Sequence, residues 1–98
     1  MVRHIVCFKL KAGENVDKAV EILTSMKANV PQVIDLEVGV DFLHSKRSYD
    51  IILQVVLKDA KALEEYQSDA YHCSVVKEHM HKVTESSISI DYEFNSCL

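Results

Sequence analysis

The stretch IDLEVGVDF (34–42) carries the clearest structural signal in the chain, because apolar and polar residues alternate along it. One side of an extended strand would present only apolar side chains there, namely Ile34, Leu36, Val38, Val40 and Phe42. The acidic residues of the stretch fall on the other side. A period of two predicts a β-strand with one buried face. Gly39 interrupts the pattern and predicts a bulge.

The neighbouring segments extend this strand into a sheet. A polar segment, HSKRS (44–48), predicts a hairpin loop, and a third strand follows over residues 49–58. The first ten residues also alternate, and their even positions carry Val2, His4, Val6, Phe8 and Leu10. A last strand places Ile88, Ile90, Tyr92 and Phe94 on one face, with Ser87, Ser89, Asp91 and Glu93 on the other.

Two helical segments separate these strands. The first begins near Asn15, has apolar residues at spacings of three and four, and is predicted to run without a break to Pro31. The second begins after Asp59, a typical N-cap residue. Its apolar stripe comprises Leu63, Tyr66, Ala70, Cys73, Val76 and Met80. Residues 68–71 interrupt that stripe with capping residues, so we expect two consecutive helices with a bend.

The element order is therefore βαββαβ. Right-handed crossovers convert it into an α+β, ferredoxin-like fold: a four-stranded antiparallel sheet in the order 4-1-3-2, with both helices on one face. Strands 1 and 3 also carry apolar side chains on the uncovered face. Because a large exposed apolar surface marks a partner site, we expect a homodimer with its sheets packed face to face.

Length and composition narrow the class of protein. The 98 residues fit one domain, residues 1–98, and 48% hydrophobic with 27% charged residues excludes intrinsic disorder. The formal net charge of −4 disfavours nucleic acid and anionic membranes as partners. No apolar run is long enough for a membrane span, and the N-terminus does not look like a signal peptide. Cys7, Cys73 and Cys97 show no CxxC spacing, which favours reduced thiols in a cytoplasmic protein.

Several segments together resemble the stress-responsive A/B barrel (Dabb) family. The resemblance rests on MVRHIVCFKLK (1–11), LEVG (36–39), SYD (48–50) and DY (91–92), and on Tyr66 followed six residues later by His72. It covers nearly the whole chain in the same element order. Where the family commonly has His-Pro-x-His, this chain has Asp69-Ala70-Tyr71-His72, so the first His and the Pro are missing.

The resemblance implies a dimeric α+β barrel, and for most members no activity is assigned. One plant member is a polyketide cyclase that closes a ring by aldol condensation, using a Tyr and a His on the second helix. The matching residues here are Tyr66 and His72, and His4 matches a pocket histidine on the first strand.

The chemistry of this pair depends on the predicted bend. Six positions on a straight helix leave the two side chains about 240° apart, so Tyr66 and His72 converge only if the helix breaks between them. A His near neutral pH suits a general base, and a Tyr hydroxyl can donate a hydrogen bond to a developing enolate or oxyanion. The structural alternative is a core Tyr ring with its hydroxyl at the edge of the core.

The resulting hypothesis is a cleft between helices and sheet that holds a small hydrophobic molecule, lined by His4, Val6, Phe8, Tyr66 and His72. Asp91 is either the partner of a histidine in this cleft or a solvated carboxylate. Two alternatives stay open: a cyclase-like lyase with His72 as base and Tyr66 as oxyanion donor, and a purely structural dimer.

Cofactor and metal sites find no support in the sequence. There is no nucleotide-binding loop, flavin fingerprint or haem motif, so no cofactor is expected. His72, His79 and His81 match no zinc pattern, and we expect no metal site.

Overall fold

The computed structural model describes residues 1–95, so Cys97 lies outside the described residues. Four strands form one antiparallel sheet in the order β2-β3-β1-β4, which is the predicted order 4-1-3-2 read from the opposite edge. The strands are β1 (Val2–Leu10), β2 (Asp35–Val40), β3 (Ile51–Leu57) and β4 (Thr84–Glu93). The predicted ferredoxin-like fold is confirmed.

The helical elements are α1 (Val16–Thr24), α2 (Met26–Asn29), α3 (Ala60–Ser68), a π-helical segment (His72–Lys77) and α4 (Glu78–Val83). The predicted continuous first helix is wrong, because it divides at Ser25. The Ser25 hydroxyl donates to the carbonyl oxygen of Ile22 at 2.6 Å and accepts from the Tyr71 hydroxyl at 2.6 Å. A serine hydroxyl that bonds a carbonyl of the preceding turn competes with the helical ladder.

The core lies between the helices and one face of the sheet. Val55 and Leu57 of β3, Leu23 of α1 and Tyr66 of α3 are fully buried there. Each such side chain contributes about 1.5–3 kcal/mol by leaving water. The alternation along β3 is therefore the pattern that fixes which face of the sheet receives the helices.

The opposite face of the sheet, here called the open face, carries apolar side chains from three strands. Ile88, Ile90 and Tyr92 of β4 are 51%, 63% and 41% exposed. They lie beside half-buried residues of β1 and β3, since Ile90 pairs with Ile5 and Cys7 lies between Ile88 and Ile52. The sequence predicted apolar residues on this face from strands 1 and 3, and β4 enlarges the surface.

The predicted bulge at Gly39 is absent, because β2 pairs with β3 in one unbroken register. Gly39 instead gives room to its cross-strand neighbour: a Cβ atom there would lie 3.0 Å from Cγ2 of Ile52. The register shift in the sheet falls between Lys9 and Leu10, where β1 pairs with β4. Over residues 1–95, no helix has the length and apolar character needed to cross a membrane.

Candidate functional site

The helical layer breaks between α3 and the π-helical segment. Asp69 has an extended backbone (φ −57°, ψ 135°), and its side chain accepts a hydrogen bond from the backbone N–H of His72 at 3.0 Å. Asp69 thereby ends one helix and caps the next. The bend predicted at residues 68–71 is confirmed, and it forms without a proline.

This break brings the side chains of Tyr66 and His72 together. Their rings stack with centroids 4.4 Å apart and an interplanar angle of 27°. Both residues are buried. The convergence on which the sequence hypothesis depended is therefore present in the structure.

The π-helical segment changes which residues of the second helical stretch face the core. Cys73 and Ala70, predicted on the buried stripe, are exposed, and this part of the prediction is wrong. His72, which lies outside that stripe, is buried in their place, whereas Val76 and Met80 are buried as predicted. The reason is the break at Asp69 together with the wider π-helical repeat, in which N–H groups bond to carbonyls five residues back. A regular α-helical period does not anticipate that rotation.

His72 is held as a neutral imidazole with one free nitrogen. Its Nδ1 lies 3.0 Å from the backbone carbonyl oxygen of Tyr66, so Nδ1 carries the proton and donates it. Burial lowers the pKa of His72 below its ordinary value, and the nearby Lys77 ammonium lowers it further. Nε2 is left with the lone pair that a general base or hydrogen-bond acceptor requires.

His4 forms the other side of the site. It lies next to Asp91 on paired strands, and its Nδ1 bonds the Asp91 carboxylate. The His4 ring also meets the Tyr66 ring edge-on, with centroids 5.5 Å apart. Of the two alternatives for Asp91, partner of a histidine or solvated carboxylate, the structure has the first. Asp91, His4, Tyr66 and His72 thus form one contiguous row.

The Tyr66 hydroxyl points into the core. It donates to the sulfur of Met26 at 3.5 Å, and the residue has no exposed surface. Burial raises the pKa of Tyr66, and the negative charge of Asp91 adds to that effect. The phenol therefore stays protonated, and its hydroxyl has only a weak acceptor as partner.

A cavity of about 270 Å³ opens beside this row, between the π-helical segment and α4 on one side and β1 and β4 on the other. The predicted residues that line it are His4, Val6, Phe8, Tyr66 and His72. Asp91 does not line the cavity and acts on it through His4.

Sequence reasoning missed the polar part of the cavity wall, which comprises Gln67, Lys77, His81, Thr84, Ser87 and Ser89. A signal for the two serines was present. They alternate in phase with Asp91, and their β1 neighbours are Phe8 and Val6. No comparable signal existed for Lys77, because its position depends on the π-helical repeat.

The histidines do not converge as a metal site. His72 and His81 line the cavity, whereas His79 does not. Nowhere in residues 1–95 do three or more His, Cys, Asp or Glu side chains form a group that could hold a metal ion.

The family profile described as "Stress responsive A/B Barrel Domain" matches residues 2–94. A search of curated proteins finds no significant match.

Among solved structures, a dimeric protein of ferredoxin-like fold from Bacteroides fragilis is 23% identical, with 95% of each chain covered and a TM-score of 0.74. A Dabb family protein from Mesorhizobium loti is 21% identical, with 97% of each chain covered and a TM-score of 0.75. A hydroxynitrile lyase from Passiflora edulis is 14% identical, covers 99% of this chain and 95% of its own, and has a TM-score of 0.83. At these identities the likeness concerns the fold.

Proposed function

Because the chain belongs to the stress-responsive A/B barrel domain family, we propose that it is a homodimeric protein that binds a small, mainly apolar molecule in the cavity beside Tyr66 and His72. The cavity itself carries this proposal. Its inner wall is apolar, from residues such as Val6, Phe8 and Leu23, and a few polar groups converge on it. Such a combination is typical of small-molecule sites.

The size of the cavity limits the ligand. A volume of about 270 Å³ corresponds to roughly nine waters at the molecular volume of the liquid. This suits a compound with a short alkyl chain or a single ring.

The dimer part of the proposal rests on the open face. Several solved relatives are described as dimeric. Ile88 and Ile90 leave an apolar strip of β4 exposed, and a second copy packed on it would remove that surface from water.

Native mass spectrometry of the freshly purified protein tests both parts together. We expect a dimer that retains extra mass, or that gains it when octanol is added. Val6→Trp places a bulky side chain in the cavity and should abolish the extra mass of the ligand. Val75→Trp is the matched control, because Val75 is exposed on the π-helical segment and does not line the cavity. If both variants retain the ligand, the cavity is not the binding site.

A second candidate function is proton abstraction next to a carbonyl, as a cyclase or lyase requires. The observation that favours it is the free Nε2 of His72, a neutral base in the cavity wall. The assignment of Tyr66 as oxyanion donor is weaker, since its hydroxyl contacts Met26. The Passiflora edulis protein of the same fold is a hydroxynitrile lyase.

Exchange of the protons next to the carbonyl of 2-octanone in D2O, followed by NMR, tests the lyase candidate. We expect exchange above the buffer rate that His72→Gln removes. His81→Gln, which changes another imidazole of the same cavity wall, should keep most of it. If the unaltered protein exchanges these protons only at the buffer rate, the lyase candidate fails and the binding function is the one that is kept. If the unaltered protein shows neither exchange nor binding, the purely structural dimer is the hypothesis that is kept.

A further inference from the structure

Basic side chains, but no carboxylates, line the cavity within residues 1–95. The ionisable side chains that line it are His4, Tyr66, His72, Lys77 and His81, and none of its lining residues within the described chain is an Asp or Glu. This contrasts with the protein as a whole, whose formal net charge is −4. The Lys77 ammonium therefore lies in a cavity wall without a carboxylate, within an acidic protein, and this favours an anionic ligand group.

The neighbouring carboxylates are already engaged with other partners. Asp91 bonds His4, Asp69 caps the backbone N–H of His72, and Glu78 pairs with Lys82 at 3.4 Å. None of these bonds involves the ammonium group of Lys77. The charge of Lys77 is therefore not neutralised by the residues next to the cavity.

The ammonium group of Lys77 has hydrogen-bond donors that its contact with Gln67 does not use. Its Nζ donates to the carbonyl oxygen of Gln67 at 3.2 Å, which holds the ammonium at the end of α3. An ammonium has three N–H donors, so two remain for a ligand. Its charge already acts within the cavity, since it contributes to the lowered pKa of His72.

Several polar residues of the cavity wall are more exposed than its apolar residues Leu23 and Leu53, which are buried. His81, Ser87 and Ser89 are exposed, and Lys77 is half-buried. The Thr84 hydroxyl oxygen is buried and has no hydrogen-bond partner within residues 1–95. The cavity is thus amphipathic, with a buried apolar wall and polar residues that reach solvent.

We propose that the ligand of this cavity is an amphipathic carboxylic acid, whose carboxylate binds Lys77 and the serine hydroxyls of the cavity wall while its apolar part contacts Val6, Phe8 and Leu23. This rests on the proposed binding function and adds the chemical class of the ligand. The acid group binds where the polar residues reach solvent, since two ammonium protons and the serine hydroxyls can satisfy it. The alkyl or aryl part packs against the buried apolar wall.

Isothermal titration calorimetry with octanoate and 1-octanol tests the proposal, because these probes share a chain and differ in the headgroup. At neutral pH we expect octanoate to bind the unaltered protein about tenfold more tightly than octanol, the effect of one charge-assisted hydrogen bond. Lys77→Gln should remove the preference by weakening octanoate alone. Lys77→Arg should keep it, and added salt should reduce it.

Lys82→Gln is the matched control, since it removes an exposed lysine close in sequence that pairs with Glu78 and does not line the cavity. It should leave the preference unchanged. Equal affinity for the two probes in the unaltered protein, or a preference that survives Lys77→Gln, overturns the carboxylate assignment and leaves the binding function intact. Binding of neither probe overturns both.

Discussion

The imidazole of His72 lies flat against the ring of Tyr66, with 4.4 Å between ring centroids, although a continuous helix would direct these side chains to different faces. The backbone break at Asp69 makes the contact geometrically possible. The π-helical segment that begins at His72 then keeps the imidazole in the buried layer. The stacked pair is therefore a product of local backbone irregularity.

The first prediction concerns the cap at Asp69. Asp69→Ala removes the acceptor of the His72 N–H and should lower the free energy of unfolding by about 1 kcal/mol, measured in urea. Asp69→Asn keeps an acceptor and should lose less. Asp59→Ala is the matched control, because Asp59 caps α3 through the N–H of Ala62 at 2.8 Å. It should cost a similar amount while leaving the NMR signals of the His72 ring in place. Unchanged His72 signals in Asp69→Ala would contradict the role given to the break.

The second prediction separates the ring of Tyr66 from its hydroxyl. Tyr66→Phe removes only a weak bond to the Met26 sulfur and should change the free energy of unfolding by less than about 1 kcal/mol. Tyr66→Ala leaves a cavity in the core and should cost about 3–5 kcal/mol. Chemical denaturation measures both. A large loss in the Phe variant would show that the hydroxyl has a stronger partner than Met26.

The third prediction is a pH dependence of stability from His72. Burial lowers the pKa of His72 in the folded state from the ordinary value of 6.5. Below pH 6.5 the unfolded chain therefore binds a proton at this residue more readily than the folded chain does. Stability is then unaffected by this group above 6.5 and falls as the pH drops from 6.5 toward the lowered value. The slope from one such group is at most about 1.4 kcal/mol per pH unit.

Urea unfolding at a series of pH values checks this dependence. His72→Gln should reduce the slope below pH 6.5, whatever constant offset the substitution introduces. His44→Gln is the control, because His44 is an exposed loop residue far along the chain from the site. Equal slopes in the unaltered protein and His72→Gln would mean that His72 titrates alike in both states.

The fold followed from the sequence because apolar and polar residues alternate along the strands, and in β3 burial follows that alternation. Leu53, Val55 and Leu57 are buried as their spacing requires. Around β2 and in β4 burial does not follow the alternation: Ile34, Val40 and Phe42 of the predicted buried face are 51%, 50% and 89% exposed.

The site followed only in part. His4 and Asp91 lie on regular strands, where the side chains of paired residues point to the same face of the sheet. Cys73 and Lys77 lie on the π-helical segment, where an α-helical period does not predict the direction of a side chain. The break at Asp69 and the wider helical turn expose Cys73 and bury His72, and no local propensity in the chain indicates where such a turn begins.

The fourth prediction concerns the open face. Ile90 is 63% exposed on β4, next to Ile5. In a two-fold dimer packed through this face, Ile90→Glu would introduce a carboxylate into an apolar interface twice, once from each copy. Burial of an unpaired charge is costly, so the variant should be monomeric at micromolar concentration by light scattering, where the unaltered protein is dimeric.

Val75→Glu provides the comparison for that experiment. Val75 is also an exposed apolar residue, at 38%, but it belongs to the π-helical segment on the other side of the sheet. Its substitution should leave the dimer intact, which separates a loss of the open face from a general effect of added negative charge. Both variants should keep the far-ultraviolet circular dichroism of the folded chain. A folded Ile90→Glu variant that stays dimeric would place the subunit contact elsewhere, and the apolar strip of β4 would then need a different partner.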